Sequence, residues 1–262
     1  MKRLVSYSSS DDEFDNEFLP QLPPKKKKLP SLSPSLLVPA PKDDPALHQG
    51  RIRSTPHVDG QWASHIYVPI RVESHSAIQK LLIDALETAQ KLEPALHPFE
   101  TGQSFDLHVS LSKPIFLRAH QRQDLKQAVR TLAQKCRSFK LSLTTFSILT
   151  NDEKTRTFLA LDVGSGHHQL KSLSDDLSPF LSNLRQNEYY ADPQFHVSIA
   201  WALLATSNAQ QPSAIFQAVP QLADTLTVTL NEQFTPASCG AFDVEYLCVK
   251  IGKDVSSWRM DL

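Results

Sequence analysis

The chain of 262 residues carries no apolar run of about 18 residues, the length a membrane-spanning helix needs, and no secretory signal pattern. A soluble protein without a membrane partner is expected. Its three cysteines, Cys136, Cys239 and Cys248, form no CxxC or Cys/His spacing, which leaves out a metal site built on them. They read as ordinary reduced thiols of the cytosol or nucleus. Excess charge of one sign is also missing: 27 Lys and Arg against 28 Asp and Glu leave a formal net charge of −1. That excludes a basic field over the whole molecule, and with it a general nucleic-acid coat protein. A nucleic-acid partner has to be held locally, in a groove.

Residues 1–48 lack the apolar surface to form a core. They hold Ser8-Ser9-Ser10-Asp11-Asp12-Glu13, the run Lys25-Lys26-Lys27-Lys28, and prolines at 20, 23, 24, 30, 34, 39, 41 and 45. Burial in such a stretch does not offset ordering entropy, so a disordered tail is expected. The Lys25–Lys28 run reads equally as a nuclear import signal and as a solvated charge run. Residues 49–262 are long enough for a substantial core, as one bilobed domain or two small ones.

Along that domain, Trp62 to Arg71 alternates as a strand, and Ser74 to Leu92 has helical apolar spacing, stopped by Pro94. A helix is expected from about His120 to Arg137. An antiparallel pair, Phe139 to Leu149 and Thr155 to Val163, follows, joined by Asn151-Asp152-Glu153-Lys154. Gly164 and Gly166 precede a helix over His167 to Leu184, with a kink expected at Pro179. A helix near Ala214–Leu222 and strands at Leu226–Leu230 and Phe242–Ile251 complete the expectation.

What the chain does have, twice, is His-Val-Ser in a short apolar run: Phe105-Asp-Leu-His108-Val-Ser110-Leu-Ser112 and Pro193-Gln-Phe-His196-Val-Ser198-Ile-Ala-Trp201. Side chains two apart on a strand share a face. His108 and Ser110 therefore project together, as do His196 and Ser198, while Leu107, Val109, Leu111, Phe195, Val197 and Ile199 anchor the other face. An internal duplication fits this layout, with one motif strand per lobe. The expected fold is α+β: two pseudo-symmetric lobes, each an antiparallel sheet with helices, around a central active-site groove.

Two imidazoles and two hydroxyls around one ligand are the equipment for phosphodiester transfer without a metal. A histidine pKa near 6.5 lets one ring be a neutral base while the other is a protonated acid. Ser110 and Ser198 are placed to donate to phosphate oxygens as charge builds on them. Neither motif has the nearby Asp/Glu pairs of a two-metal nuclease, so no metal or other cofactor is expected. Tyr189 and Tyr190 precede the second motif; one is expected to pack inward, the other to stand exposed where it can stack on a base. Lys113 is either a phosphate contact or a solvated strand end. The other eight histidines read as surface or hydrogen-bonded residues, and Trp62 and Trp201 as core.

The duplicated His-Val-Ser resembles the signature of the two-histidine (2H) phosphoesterase superfamily. Arg51-Ile-Arg-Ser-Thr-Pro-His57, Gln61-Trp-Ala-Ser-His-Ile-Tyr-Val-Pro69, Asn151-Asp-Glu-Lys-Thr-Arg-Thr-Phe158, Ser165-Gly-His167 and Tyr190-Ala-Asp-Pro-Gln-Phe-His196 are similar, more narrowly, to the U6 small nuclear RNA phosphodiesterase family. So is Leu4-Val-Ser-Tyr-Ser-Ser-Ser10. The resemblance covers residues 50–203 and fades over 204–262. It implies a nuclear, monomeric 3′–5′ exoribonuclease that trims the 3′ tail of U6 RNA and leaves a 2′,3′-cyclic phosphate or a 3′-phosphate. It also implies catalytic roles for His108 and His196, phosphate binding by Ser110 and Ser198, and base stacking by Tyr190. The competing readings are another 2H phosphodiesterase, acting on cyclic nucleotides or 2′–5′ linkages, and a non-catalytic RNA-binding protein.

Overall fold

The computed structural model describes residues 45–51, 55, 58–99, 105–205 and 217–261. The polar tail up to residue 44, its Lys25–Lys28 run, and the start of the helix expected at Ala214 lie outside them. Pro45–His48 already forms a 3-10 turn, so the described fold begins four residues before the expected boundary at 49.

Eleven strands form one sheet: β1 (Gln61–Arg71), β2 (His97–Pro98), β3 (Asp106–Ser110), β4 (Ile115–Arg118), β5 (Phe139–Thr150), β6 (Arg156–Val163), β7 (His196–Leu204), β8 (Ala218–Val219), β9 (Ala241–Val244), β10 (Tyr246–Ile251) and β11 (Asp254–Arg259). The order is β11-β10-β1-β3-β7-β6-β5-β9, antiparallel along this path, with β4 extending β3 along β1, β2 added to β7 antiparallel and β8 added to it in parallel. Among the described residues four α-helices cover it: α1 (Ala77–Leu92), α2 (Gln121–Ala133), α3 (His167–Asn183) and α4 (Asp224–Gln233). The α+β architecture is therefore as expected.

A two-fold pattern runs through it. The succession β1-α1-β3-β4-α2 recurs as β6-α3-β7-β8-α4, and the two motif strands, β3 and β7, lie side by side at the centre. The helices exchange lobes. α1 packs with α4 over β7 and β5, while α3 packs with α2, which lies over β10 and β11. The core lies between this helical layer and one face of the sheet. Ile66, Val68 and Ile70 of β1, Val109 of β3, Val197 and Ile199 of β7, and Leu159 and Leu161 of β6 meet Leu82, Leu86, Leu125, Val129, Leu173 and Leu177 from the helices. The alternation of buried and accessible residues along β1 and β3 follows from this one-sided cover.

Local chemistry explains the boundaries. Ser76 caps α1 by accepting from the Gln79 N–H. Gly166 starts α3 at φ +90, where a Cβ would sit 3.0 Å from the Lys140 carbonyl. α3 runs on through Pro179 to Asn183. Two expectations fail. Leu226–Leu230 is not a strand but part of α4. The alternation Leu-Thr-Val-Thr-Leu suits either period, and burying both Leu226 and Leu230, four apart on one helical face, decides for helix. The described part of the helix expected at Ala214–Leu222 instead contains β8, which extends the edge of β7.

The outer edge of β5 is closed by a side chain where β9 no longer covers it. Asn231 of α4 accepts from the Phe146 N–H at 2.7 Å and donates to its carbonyl at 3.0 Å. Asn231→Ala leaves both groups unpaired and is expected to cost about 2 kcal/mol, even after the gain in helix propensity. Urea unfolding checks this; a loss below about 0.5 kcal/mol would show that water replaces the amide.

Candidate active site

Val109 and Val197 pair directly across β3 and β7, and both are fully buried. In an antiparallel register this sets His108 opposite Ser198 and Ser110 opposite His196, crosswise, on the face turned away from the helices. The four motif side chains singled out from the sequence are thus brought together at the sheet's centre.

Their surroundings differ. His196 is half-buried, and its Nδ1 lies 2.7 Å from the Gln194 carbonyl. A carbonyl only accepts, so Nδ1 carries a hydrogen and Nε2 is left for the groove. Across the strand pair stands Asp162, opposite His196. Its carboxylate accepts from Ser147 at 2.8 Å and from Gln194 Nε2 at 3.1 Å. Burial lowers the pKa of His196, and the Gln194 carbonyl and Asp162 offset this by favouring the cation. His108 has no such support. Burial of its ring lowers its pKa, and the charges of His196 and Lys250 lower it further.

On its β1 side His108 meets two aromatic rings. Tyr67 lies edge-on at 5.2 Å and His65 at 5.6 Å, centroid to centroid, and His65 stacks on Tyr67 at 4.9 Å. Burial pushes the His65 pKa down to about 4, aided by His108 and by Lys250, which lies opposite it on β10. From the sequence His65 reads as a surface or hydrogen-bonded histidine that also lies in a strand. The signal was there: His65 and Tyr67 alternate with buried Ile66 and Val68, the same pattern as in the motifs.

Tyr190 lies in the loop before β7, 42% exposed. Its hydroxyl donates to Asp152 at 2.8 Å, and Lys113 stands over its ring at 4.0 Å while pairing with the same carboxylate at 2.9 Å. The hydrogen bond and the carboxylate raise its pKa beyond what burial does alone. Tyr189 packs inward on Phe195, so the two tyrosines divide as expected. Lys113 is not free: it sits in the short connection between the end of β3 and the start of β4, where Ser112 accepts from the Ile66 N–H. Trp201 is buried as expected but on the groove face. An extra residue in β7, Ile199, turns it opposite Phe158, under Arg51 at 5.3 Å and beside His97. Among the described residues no three His, Cys, Asp or Glu are grouped to hold a metal ion, and no helix is long and apolar enough to cross a membrane.

Comparison with known proteins gives a family model and named relatives. The model HVSL, described as an uncharacterised conserved protein, matches residues 20–259. The chain is 33% identical over 241 residues to the U6 snRNA phosphodiesterase 1 of Mus musculus, spanning 84% of this chain and 87% of that one. It is 28% identical over 232 residues to the protein of the same name in Drosophila melanogaster, spanning 86% and 83%. Among solved structures it is similar to Kluyveromyces marxianus Usb1 with uridine monophosphate, with a TM-score of 0.52 and 19% identity over 76% of this chain and 98% of that one. That likeness is one of fold.

The neutral state of buried His65 ties stability to pH. Its folded pKa of about 4 lies below the ordinary 6.5, so the unfolded chain takes up the proton first as pH falls. Stability present above about 6.5 is lost progressively toward about 4, roughly 2 kcal/mol of it between pH 7 and pH 5. His65→Phe keeps a flat ring on Tyr67 and is expected to flatten that part of the slope in urea unfolding at the two pH values. An unchanged slope would place the buried protonation elsewhere.

Proposed function

Because the chain belongs to the U6 snRNA phosphodiesterase family, we propose that it is an RNA phosphodiesterase that removes nucleotides one at a time, 3′ to 5′, from the oligouridine tail of U6 small nuclear RNA. The crosswise placement of His108 with Ser198 and of His196 with Ser110 carries this reading. A phosphodiester seated between the pairs meets a base, an acid and two hydroxyl donors, all from one chain, so a monomer suffices.

The differing surroundings support one division of roles between the histidines. His108, held toward its neutral form, takes the proton from the 2′-hydroxyl of the penultimate nucleotide. The 2′-oxygen forms a bond to the adjacent phosphorus. The bond from phosphorus to the 5′-oxygen of the last nucleotide breaks, and His196 gives that oxygen a proton from Nε2. Burial lowers the His196 pKa, and the Gln194 carbonyl and Asp162 partly offset this, so the proton it gives is better supported than one on His108 would be. Ser110 and Ser198 donate to the non-bridging oxygens, where charge gathers in the transition state. The released nucleoside carries a free 5′-hydroxyl, and the shortened RNA ends in a 2′,3′-cyclic phosphate. Water entering opposite the 2′-oxygen would open that ring to a 3′-phosphate with the two histidines in exchanged roles. Acting on U6 RNA implies a nuclear location in the splicing machinery's supply line, for which the Lys25–Lys28 run is a suitable import signal.

The test is which sugar is indispensable. An oligouridylate with a 2′-deoxy penultimate nucleotide is expected to bind and to resist loss of its last residue. The same change at the terminal nucleotide is expected to be tolerated, and cleavage to persist in excess chelator. Mass spectrometry of the chain ends reads both. Efficient cleavage of the penultimate 2′-deoxy substrate would mean that water is the nucleophile and would overturn the mechanism. Cleavage only of 2′–5′ linkages would move the chain to a different substrate class.

A further inference from the structure

The two motif histidines are not held alike. The Gln194 carbonyl fixes the His196 ring through Nδ1. Among the described residues no hydrogen bond reaches either ring nitrogen of His108, whose ring meets those of Tyr67 and His65 instead. A base has to present one nitrogen within about 2.6–3.2 Å of the proton it takes. The torsion that turns an imidazole about its Cβ–Cγ bond is broad and roughly two-fold, and a half-turn puts carbon where nitrogen was. Something other than a hydrogen bond therefore chooses the orientation of His108.

β1 presents a surface that does so. His65 and Tyr67 lie two residues apart on the groove face, with Ile66 and Val68 fully buried behind them. The Tyr67 ring is tilted by 62° to that of His108 at 5.2 Å between centroids, an edge-to-face contact of the kind aromatic rings prefer. His65 stacks on Tyr67 at 4.9 Å with 28° between the planes, and it meets His108 at 5.6 Å. Tyr67 is itself pinned across the sheet. Ser110 of β3 stands opposite it on one side and Cys248 of β10 on the other, and its hydroxyl interacts with the Cys248 thiol. The three rings form one packed unit, of which His108 alone belongs to a motif.

We infer that Tyr67 is the positioning residue of His108: its ring, backed by His65, holds the imidazole in one orientation as the Gln194 carbonyl holds that of His196. The inference rests on the role of base proposed above for His108 and adds what aims that base. Tyr67 acts through His108 and not on the RNA, so its loss costs rate and not affinity.

The experiment measures kcat and KM of the full chain on an oligouridylate, and the His108 ring resonances in protein labelled with 15N-histidine. Tyr67→Leu is expected to lower kcat about 10–10²-fold, the scale of a misplaced reacting group, with KM within about twofold. Tyr67→Phe keeps the ring and is expected to keep kcat within about threefold. In a His108→Ala background Tyr67→Leu is expected to cost less than about twofold more, because no base is left to position. In the unaltered chain the His108 ring is expected to show a single orientation. An unchanged kcat in Tyr67→Leu, a raised KM with kcat kept, or the same fold loss with and without His108 would overturn the inference while leaving the proposed activity standing. So would averaging of the His108 ring between two orientations in the unaltered chain, a readout that serves even if Tyr67→Leu melts early. If the unaltered chain cut no oligouridylate, the underlying activity would fall, and the inference with it.

Discussion

The pairing of Val109 with Val197 constrains everything on the groove face. Side chains alternate along a strand, so a slip of either strand by one residue would turn its histidine into the helical layer and its valine out of it. Burial of the valines and their apolar neighbours on either strand opposes that slip, at about 1.5–3 kcal/mol for each fully buried side chain. The register is therefore held from behind, by the core, while the groove side remains free for chemistry. Because the motif strands are antiparallel neighbours at the pseudo-two-fold, the same pair that fixes the register also fixes the crosswise matching of each imidazole with the other motif's hydroxyl.

Symmetry of fold does not produce symmetry of charge. The two motifs are identical tripeptides, yet one histidine has a carbonyl on Nδ1 and a carboxylate across the strand pair. The other has Tyr67 and a third, neutral imidazole beside it. Acid–base chemistry needs two groups in opposite protonation states; burial lowers the pKa of both histidines, and the neighbouring strands offset this at one and add to it at the other. β6 stabilises the cation of His196; β1 and β10 disfavour that of His108.

Much of this was legible in the sequence because it is local. The alternation around His108 and His196 set the faces, and the helical spacing of Ile78, Leu82, Ala85 and Leu86 marked α1. What was not legible depends on long-range pairing. Nothing in Trp62–Arg71 says that His65 will lie beside His108; that follows only once Tyr67 pairs with Ser110. The tie among Lys113, Asp152 and Tyr190 joins three separate loops and has no periodic signature. The strand expected over Phe242–Ile251 divides at Glu245 because its first part pairs with β5 and its second with β1, one on each side of the molecule's pseudo-axis. Leu226–Leu230 reads as a strand because Leu226, Val228 and Leu230 alternate, and five residues are too few to show that Val228 stands exposed while the two leucines share a helical face.

The division of labour between His108 and His196 is tested most directly by making one role unnecessary. A substrate whose scissile 5′-oxygen is replaced by sulfur has a leaving group that departs without a proton. On ordinary oligouridylate, His108→Ala and His196→Ala are each expected to lose about 10²–10⁴-fold in rate. On the 5′-thio substrate His196→Ala is expected to recover most of its loss, while His108→Ala, still without a base, is expected to stay slow. Recovery by His108→Ala instead would reverse the assignment, and recovery by neither would remove His196 as the acid.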